Sequence, residues 1–353
     1  KIRVVAPVPY LLNRRRGKSS IAVPGRRIEQ LDKRTVTVFH PRYPLLPRNL
    51  LRPVVGYLQF LTTFQVVRRL HREERIDLIH CNWVYPDGVA GGLIARLLRI
   101  PYIITEHQSG IEFHLKHSFI KRQISKAYKA SSKVILVSQS LTKPLKSVLP
   151  ALGDYVIIHN GVDVQTFPLR SELRPLRKIV YIGNLIPAKG LQFLLPALKK
   201  LIDEGYPISL DLIGIGSFQG KLAALSSDLG IKDRVSFKGI IPPDEIPGKL
   251  LDYDLLILPS LQESFGMVLI EAMATGMPVL GTRSGGPESV VTPSVGELVE
   301  PGSMEALYEG FKRLNARWES FDPQEIRAYC SRNYDLRVLC LQIAQVYHEV
   351  TGL

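Results

Sequence analysis

The sequence predicts an α/β protein made of two doubly wound domains. Apolar, β-branched runs alternate with helical patterns through the first half of the chain, and the same alternation returns in the second half. This βαβ rhythm is typical of a parallel sheet with helices on both faces. With 353 residues, 45% of them hydrophobic and 22% charged, the chain is long enough to form two hydrophobic cores.

The predicted strands of the first half cover residues 2–6, 35–40, 76–81, 101–105, 134–138 and 155–160, and helical patterns cover 54–75 and 88–98. Asn160 and Gly161 then signal a turn, and the polar stretch up to residue 177 reads as a linker. The predicted strands of the second half cover residues 178–183, 208–214, 234–239, 255–260 and 278–282, with helices at 190–204 and 323–350.

The segment 255–282 carries the strongest functional signal. An apolar run typical of a buried strand (255–260) is followed by a turn containing Gly266 and by a short helix, Met267 to Ala274. The free N–H groups at such a helix start favour a phosphate or diphosphate. Glu263 precedes the helix and Glu271 lies just over one turn beyond its start. Carboxylates beside a diphosphate suit sugar hydroxyls, so this segment predicts a nucleotide-sugar site.

Seven blocks of the chain resemble the pattern of glycosyltransferase family 4, the retaining enzymes with the GT-B fold. They are KIRVVAPVP at the start, YPDG (85–88), ITEHQSG (104–110), NGVD with Phe167 (160–167), YIGNLIPAKG (181–190), DLIGIGS (211–217) and the glutamate block (263–282). A lone glycine motif would be weak support, whereas seven blocks in the family's order are a strong signal. The resemblance implies Rossmann-like domains at 1–165 and 166–325 that face a cleft, and a last segment, 326–353, that crosses back to the first domain.

The resemblance implies that the donor binds the second domain, at the carboxyl ends of its strands. Lys189 would set its ammonium against the diphosphate and stabilise the charge of the leaving group. Asn184 stands where most family members have an arginine, so one positive charge is missing here. Glu271 would hold the ribose hydroxyls and Glu263 would contact the transferred sugar, although Glu263 also suits the helix dipole.

The other donor contacts that we predict are Gly214, Gly216, Phe265, Gly266 and Met267. A tight turn between strand and helix explains Gly214 and Gly216 about as well as a nucleotide does.

His107 is the catalytic residue that we expect from the first domain. The resemblance implies that it lies beside the donor sugar, whereas a lone histidine next to a strand is more often structural. Glu106 is a tempting nucleophile for double displacement. Neighbouring strand residues point to opposite sides, so we predict against Glu106 and expect attack from the front face.

The basic surplus lies in the first half. Residues 1–165 hold 27 Lys and Arg against 10 Asp and Glu, whereas residues 166–353 hold 19 against 22. Such a half-molecule is attracted to an anionic surface, either lipid or nucleic acid. Four basic residues recur at intervals of four, three and four, which predicts a basic stripe on one face of a helix. The stripe is either an interfacial helix or an ordinary solvated face, and its residues are Arg122, Lys126, Lys129 and Lys133.

Two further features of the first half have simple interpretations. Four basic residues either meet the phosphates of an acceptor or form a solvated tip, and both interpretations stay open; these residues are Arg14, Arg15, Arg16 and Lys18. Asp87 and Gly88, in YPDG, predict a turn and a helix cap, and contact with the acceptor is the alternative.

Together these patterns predict a retaining, metal-independent hexosyltransferase that needs no cofactor. We expect a UDP- or GDP-sugar donor, a glycan or polyprenyl-diphosphate-linked acceptor, and a role in bacterial surface polysaccharide synthesis. The alternatives are a GT-B isomerase or phosphorylase and a nucleic-acid-binding protein. The basic run from Arg14 to Arg34 lacks the interleaved aromatic residues that nucleic-acid binding would favour.

We expect the protein in the cytoplasm, peripheral on the inner face of the plasma membrane. Three cysteines without metal-like spacing fit a reducing compartment; they are Cys81, Cys330 and Cys340. No signal-peptide pattern opens the sequence, and no apolar run reaches the roughly 18 residues of a membrane helix.

Overall fold

The computed structural model describes residues 2–11, 26–31, 34–45, 51–107, 111–148 and 154–353. The chain divides into two compact units. The first unit comprises Lys1–Leu136, Lys143–Val156 and Gln345–Leu353, and the second comprises Val137–Thr142 and Ile157–Ala344. The predicted domain limits at residues 165 and 325 do not coincide with these bounds.

The described strands of the first unit lie in three sheets. The strands are β1 (Val4–Val5), β2 (Val8–Leu11), β3 (Arg26–Leu31), β4 (Arg34–Phe39), β5 (Arg42–Leu45), β6 (Ile79–Asn82), β7 (Tyr102–Glu106), β8 (Lys133–Leu136) and β9 (Tyr155–Ile157). The largest sheet has the order β6-β7-β8-β9, with β7 parallel to β6 and β8. β2 pairs with β5, and β4 lies between β1 and an antiparallel β3. The β3–β4 pair departs from the predicted all-parallel pattern.

The helices of the first unit are α1 (Val55–Glu73), α2 (Val89–Leu98), α3 (Glu112–Leu115), α4 (Ser118–Ala130) and α5 (Thr142–Val148). Every residue of β7 is buried, as expected of a parallel strand covered on both faces. α4 is amphipathic, because Ile120, Ile124 and Tyr128 recur every four residues and are buried on one face.

The second unit contains one parallel sheet of six strands. The strands are β10 (Lys178–Ile182), β11 (Ser209–Ile213), β12 (Val235–Gly239), β13 (Leu255–Leu258), β14 (Val279–Thr282) and β15 (Gly296–Val299). Their order is β12-β11-β10-β13-β14-β15, and each neighbouring pair is parallel. The chain therefore winds outward from β10 in one direction and then in the other, which is the predicted doubly wound arrangement.

The helices of the second unit begin with α6 (Leu191–Asp203), α7 (Gln219–Asp228), α8 (Ile246–Lys249), α9 (Met267–Ala274) and α10 (Met304–Ala316). The predicted helix over residues 323–350 is two helices, α11 (Pro323–Tyr334) and α12 (Leu336–Thr351). At Asp335 the backbone is extended and pairs with Val162. The N–H of Val162 donates to the carbonyl of Tyr334 at 2.9 Å, and the N–H of Leu336 donates to the carbonyl of Val162 at 3.0 Å. This distant pairing breaks the helix.

Substitution of glycine by alanine should have opposite effects at two helical glycines, because one packs against β15 and the other faces open space. A Cβ on Gly310 would lie 2.1 Å from Cγ1 of Val299, whereas a Cβ on Gly220, in α7, would meet no heavy atom within 4 Å. Alanine stabilises a helix by about 0.5–1 kcal/mol over glycine, and overpacking costs about 1–3 kcal/mol. Gly220→Ala should therefore raise the melting temperature and Gly310→Ala should lower it, by circular dichroism. Two shifts of the same sign would contradict the described packing.

Candidate functional site

The loops after β10, β11, β13 and β14 lie at the carboxyl edge of the six-stranded sheet. The strand order reverses between β10 and β13, and open α/β sheets bind ligands at such a reversal. Most of the predicted donor residues are on these loops or at the start of α9: Asn184, Lys189, Gly214, Gly216, Glu263, Phe265, Gly266 and Met267. Glu271 lies further along α9.

Two of the predicted catalytic residues form an ion pair at this edge. Nζ of Lys189 lies 2.6 Å from Oε2 of Glu263, with the side chains 21% and 13% exposed. Oγ of Ser260 donates to the same carboxylate oxygen at 3.2 Å. We call Lys189, Ser260 and Glu263 the edge cluster. It holds one cation and one carboxylate where they are largely shielded from water.

The loop after β14 fixes the main chain of Glu263. The N–H of Glu263 donates to the carbonyl of Ser284 at 2.9 Å, and the N–H of Gly286 donates to the carbonyl of Glu263 at 2.7 Å. The two loops thus pair like short parallel strands. The sequence analysis missed this loop, although two glycines and a proline after a strand (284–289) are a recognisable turn signal.

The start of α9 has the properties predicted for an anion site. Gly266 precedes the helix with a φ of 90°, in the left-handed region that favours glycine. No side chain caps this helix end. The first N–H groups of a helix have no partner within it, and the helix dipole gives this end a partial positive charge. Met267, the first helical residue, is half-buried beside them.

The ring of Phe265 lies in the core. It is 1% exposed and stacks on His159 at a centroid distance of 5.5 Å. It also meets the edge of Tyr334 at 5.9 Å, and the Tyr334 hydroxyl donates to the carbonyl of Ser289 at 2.7 Å. This aromatic group anchors the loop that carries Glu263.

Glu271 is a partly buried carboxylate whose pKa is raised by burial. No described residue donates a hydrogen bond to it or forms an ion pair with it. Burying a charge without a partner is unfavourable. A half-buried carboxylate without a described partner on α9 is a candidate for contact with a ligand.

Close packing between loops explains two of the predicted donor residues. A Cβ on Gly214 would lie 2.0 Å from the carbonyl oxygen of Gly183, and one on Gly216 would lie 2.1 Å from that of Leu185. Asn184 is exposed, and its carbonyl accepts a hydrogen bond from Tyr181 at 2.9 Å. Burial, and then the charge of Glu263, raise the pKa of Tyr181.

His107 follows β7 in the first unit and is held by a residue that the sequence analysis missed. Its Nε2 donates to Oδ1 of Asn82, the last residue of β6, at 3.1 Å. His80 lies close by, with Nδ1 2.7 Å from the Tyr347 hydroxyl and Nε2 2.6 Å from Oγ1 of Thr105. Burial, and then the charge of His107, lower the pKa of His80 to about 4. The adjacent ends of two parallel strands could have signalled Asn82.

Glu106 lies inside the first unit, fully buried. Its Oε2 accepts hydrogen bonds from the Tyr128 hydroxyl at 2.7 Å and from the N–H of Val84 at 3.1 Å. Burial, and then the charge of Glu106, hold the pKa of Tyr128 well above its usual value. Glu106 is therefore a core carboxylate with hydrogen-bond donors of its own.

The predicted helix cap at Asp87 and Gly88 is confirmed for Gly88, which is the N-cap residue of α2, and is wrong for the Asp87 side chain. α2 begins without a side-chain cap, and residues Val84–Gly88 form a wide helical turn. The Asp87 carboxylate instead accepts a hydrogen bond from the buried amide of Gln59, on α1. Burial raises the pKa of Asp87, and the bond from Gln59 opposes this rise.

The prediction that Lys133 extends the basic stripe is also wrong. α4 ends at Ala130 because Ser131 adopts an extended backbone, and Lys133 begins β8. The Lys133 ammonium lies 2.6 Å from Asp154 and 3.4 Å from Glu349, and the bond to Asp154 is the main cause of its raised pKa.

The three remaining residues of the stripe, Arg122, Lys126 and Lys129, are exposed on α4. Lys121, which the stripe did not include, is also exposed on this helix, and we call the four residues together the basic face. Beside it lies an apolar ridge of exposed side chains, Tyr57, Leu61 and Phe119, with the Tyr57 and Phe119 rings 6.3 Å apart. Arg14, Arg15, Arg16 and Lys18 lie outside the described residues. None of the described helices is both long enough and apolar enough to pass through a lipid bilayer.

Two family profiles match the chain. The family described as Glycosyl transferases group 1 matches residues 171–333, and Glycosyltransferase Family 4 matches residues 12–166. The putative teichuronic acid biosynthesis glycosyltransferase TuaC of Bacillus subtilis is 31% identical over 251 residues, which are 67% of this chain and 61% of that protein. The chain spans about two thirds of the length of several other curated relatives.

Solved structures share the fold. Sucrose-phosphate synthase from Thermosynechococcus elongatus has a TM-score of 0.77 at 21% identity, over 94% of this chain and 87% of that one. HepE of Anabaena in complex with UDP has a TM-score of 0.71 at 23% identity, over 88% of this chain and 86% of that one. HepE has also been solved with UDP-glucose.

The low pKa of His80 predicts that stability depends on pH. Its pKa is about 4 in the folded protein against an ordinary 6.5, so between these values only the unfolded chain binds the proton. The contribution of His80 is present above pH 6.5 and is lost as the pH falls towards 4, by at most about 3 kcal/mol.

His80→Gln should therefore lose less free energy of unfolding than the wild type between pH 6.5 and 4.5, by urea denaturation. His117→Gln, at an exposed histidine, is the control and should behave like the wild type. The same pH dependence in wild type and His80→Gln would show that His80 is not held neutral by the fold.

Proposed function

The chain belongs to glycosyltransferase family 4 and has the GT-B fold, and from this premise we propose that it transfers a sugar from a nucleoside diphosphate donor. The donor would bind at the carboxyl edge of the sheet in the second unit. The observation that carries this proposal is the edge cluster beside the loop that leads into α9, with Glu271 lacking a described partner on that helix. The UDP and UDP-glucose complexes of HepE, which has the same fold, support a nucleotide sugar as the donor.

The diphosphate would bind at the start of α9 and take Lys189 as its cation. The helix end contributes about half a positive charge and its free N–H groups. Phosphate oxygens would compete with Glu263 for the Lys189 ammonium, and the released carboxylate could then accept hydrogen bonds from the sugar hydroxyls. This exchange would couple the arrival of the donor to the exposure of Glu263. Lys189 and the helix end supply the positive charge, so we propose that no metal is needed.

The ribose of the donor would supply hydrogen bonds to the Glu271 carboxylate. Its two vicinal hydroxyls are donors, and a single carboxylate can accept from both. Such charge-assisted bonds contribute about 1.5–3 kcal/mol each. The raised pKa of Glu271 and its lack of a described partner have the same explanation, because the ligand rather than the fold supplies the hydrogen bonds.

We propose that the anomeric configuration of a hexose is retained through front-face attack. The bond between the anomeric carbon and the diphosphate oxygen breaks, the acceptor oxygen bonds to the same face of that carbon, and the leaving phosphate takes the acceptor's proton. Glu106 is a poor nucleophile for the alternative double displacement, because it is buried and accepts two hydrogen bonds. His107, oriented by Asn82, would hydrogen-bond a sugar hydroxyl.

The acceptor that we propose is a glycan or polyprenyl-diphosphate-linked glycan of a bacterial surface polysaccharide. The similarity to a protein described as a teichuronic acid biosynthesis glycosyltransferase supports this choice. The basic face and the apolar ridge together suit an anionic bilayer surface, since lipid head groups attract the cations and the boundary below them accepts apolar side chains. The protein would then act on the cytoplasmic leaflet.

Glu271→Gln should weaken nucleotide binding. Losing the charged acceptor should raise the dissociation constant of UDP or GDP, whichever binds, about 10- to 100-fold by isothermal titration calorimetry. The melting temperature should not fall, because a neutral amide replaces a buried charge that has no described partner. Glu309→Gln, an exposed glutamate of α10, is the matched control and should change neither value. Failure of both nucleotides to bind the wild type would contradict the proposed donor class, and unchanged affinity in Glu271→Gln would contradict the ribose contact.

Neutralising the basic face should release the protein from anionic vesicles. Replacement of Arg122, Lys126 and Lys129 by glutamine should lower the affinity for phosphatidylglycerol vesicles about 100-fold, at about 1 kcal/mol for each charge. Co-sedimentation with the vesicles measures this affinity. The matched control replaces one arginine and two lysines that are exposed in the second unit, Lys221, Lys232 and Arg234. Equal losses of vesicle affinity in the two triple variants would show that net charge alone, and not the basic face, accounts for vesicle binding.

A further inference from the structure

Trp83 combines an exposed side chain with an unfavourable backbone conformation. It follows β6 with a φ of 68° and a ψ of 139°, and a bulky residue with positive φ is a genuine outlier. Its side chain is 49% exposed. No described residue accepts a hydrogen bond from its indole N–H. Packing of this half-exposed ring in the core therefore does not offset the free-energy cost of the backbone conformation.

Hydrogen bonds fix this conformation on both sides. The N–H of Trp83 donates to the carbonyl of Thr105 at 2.7 Å, and the carbonyl of Trp83 accepts from the N–H of Gly88 at 2.9 Å. The next residue, Val84, donates its N–H to the buried carboxylate of Glu106 at 3.1 Å. The surrounding structure thus fixes the main chain from which the ring projects, and such constrained conformations are common at binding sites.

Trp83 follows the residue that bonds the predicted catalytic histidine. It directly follows Asn82, whose side chain holds His107, and Asn82 is opposite Thr105 where β6 and β7 end. The indole therefore stands at the carboxyl edge of the sheet in the first unit, which is the edge where open α/β sheets bind ligands.

We propose that Trp83 is a stacking platform for the acceptor sugar. One face of a pyranose ring carries C–H groups that pack on an aromatic ring, and its rim carries hydroxyls that an indole N–H can bond. An exposed tryptophan on a fixed main chain offers both. This inference rests on the proposed sugar transfer, and it assigns the acceptor to the edge that carries Asn82 and His107.

The chain contains only two tryptophans, which makes a direct measurement possible. Trp318 lies in the second unit, where its N–H donates to the carbonyl of Arg174 at 2.9 Å. Trp318→Phe leaves Trp83 as the only indole. We expect a saturable change in its fluorescence with at least one methyl glycoside of glucose, galactose, mannose or N-acetylglucosamine. Trp83→Phe, which keeps Trp318, is the matched control and should not respond. No response of Trp83 to any of the four glycosides overturns the proposal.

Trp83→Gly separates a binding role from a structural one. Glycine adopts a positive φ freely, so this variant should melt no lower than the wild type. It should bind the responding glycoside at least about tenfold more weakly, by saturation-transfer difference NMR. A clear fall in melting temperature would assign the ring to packing, and undiminished glycoside binding would remove the stacking role. Loss of anionic vesicle binding with unchanged glycoside binding would assign Trp83 to a lipid surface instead.

The affinity for UDP or GDP tests the proposed function separately from the role of Trp83. Trp83→Gly should bind UDP or GDP as the wild type does, because the residues proposed to bind the nucleotide itself (Lys189, the start of α9 and Glu271) are in the second unit. A wild type that binds neither nucleotide counts against the donor proposal. The fluorescence and NMR results then still decide whether Trp83 binds a sugar.

Discussion

Main-chain atoms of neighbouring loops touch at the carboxyl edge of the six-stranded sheet, and the candidate donor site depends on that contact. A Cβ on Gly190 would lie 1.9 Å from the carbonyl oxygen of Pro259, and one on Gly286 would lie 2.2 Å from the nitrogen of Phe265. The loops after β10 and β14 therefore reach the loop after β13 only because both positions lack a side chain. This approach brings Lys189 within 2.6 Å of Glu263.

Four buried or half-buried acidic residues fall into two kinds. Glu106 and Asp87 are satisfied by hydrogen bonds inside the first unit, from Tyr128 and Gln59 among others. At the carboxyl edge of the second unit, Glu263 is neutralised by a lysine that a diphosphate could attract, and on α9 Glu271 has no described partner. The first kind stabilises the fold. The second kind is explained by a ligand, and proteins commonly give up some stability at such sites.

The family, the fold and five of the six strands of the second sheet could be predicted from sequence, because most of these strands are short apolar runs bounded by turn residues. The edge strand β15, with the sequence GELV, was not predicted. The helix Met267–Ala274 has its predicted bounds. Features that depend on distant partners could not be predicted. The break at Asp335 needs Val162, and Lys133 keeps helical spacing although β8 has already begun. The roles of Asn82 and Trp83 needed the pairing of β6 with β7 and a backbone angle that no local pattern reveals.

The most direct test of the account is a crystal structure of the protein with bound UDP, or with GDP if that nucleotide binds instead. The account predicts a diphosphate within hydrogen-bond distance of Nζ of Lys189 and of the N–H groups at the start of α9. It also predicts ribose hydroxyls on Glu271 and a separation of Lys189 from Glu263. A nucleotide bound away from this edge, or a Glu271 carboxylate that does not touch the ribose, would contradict the account.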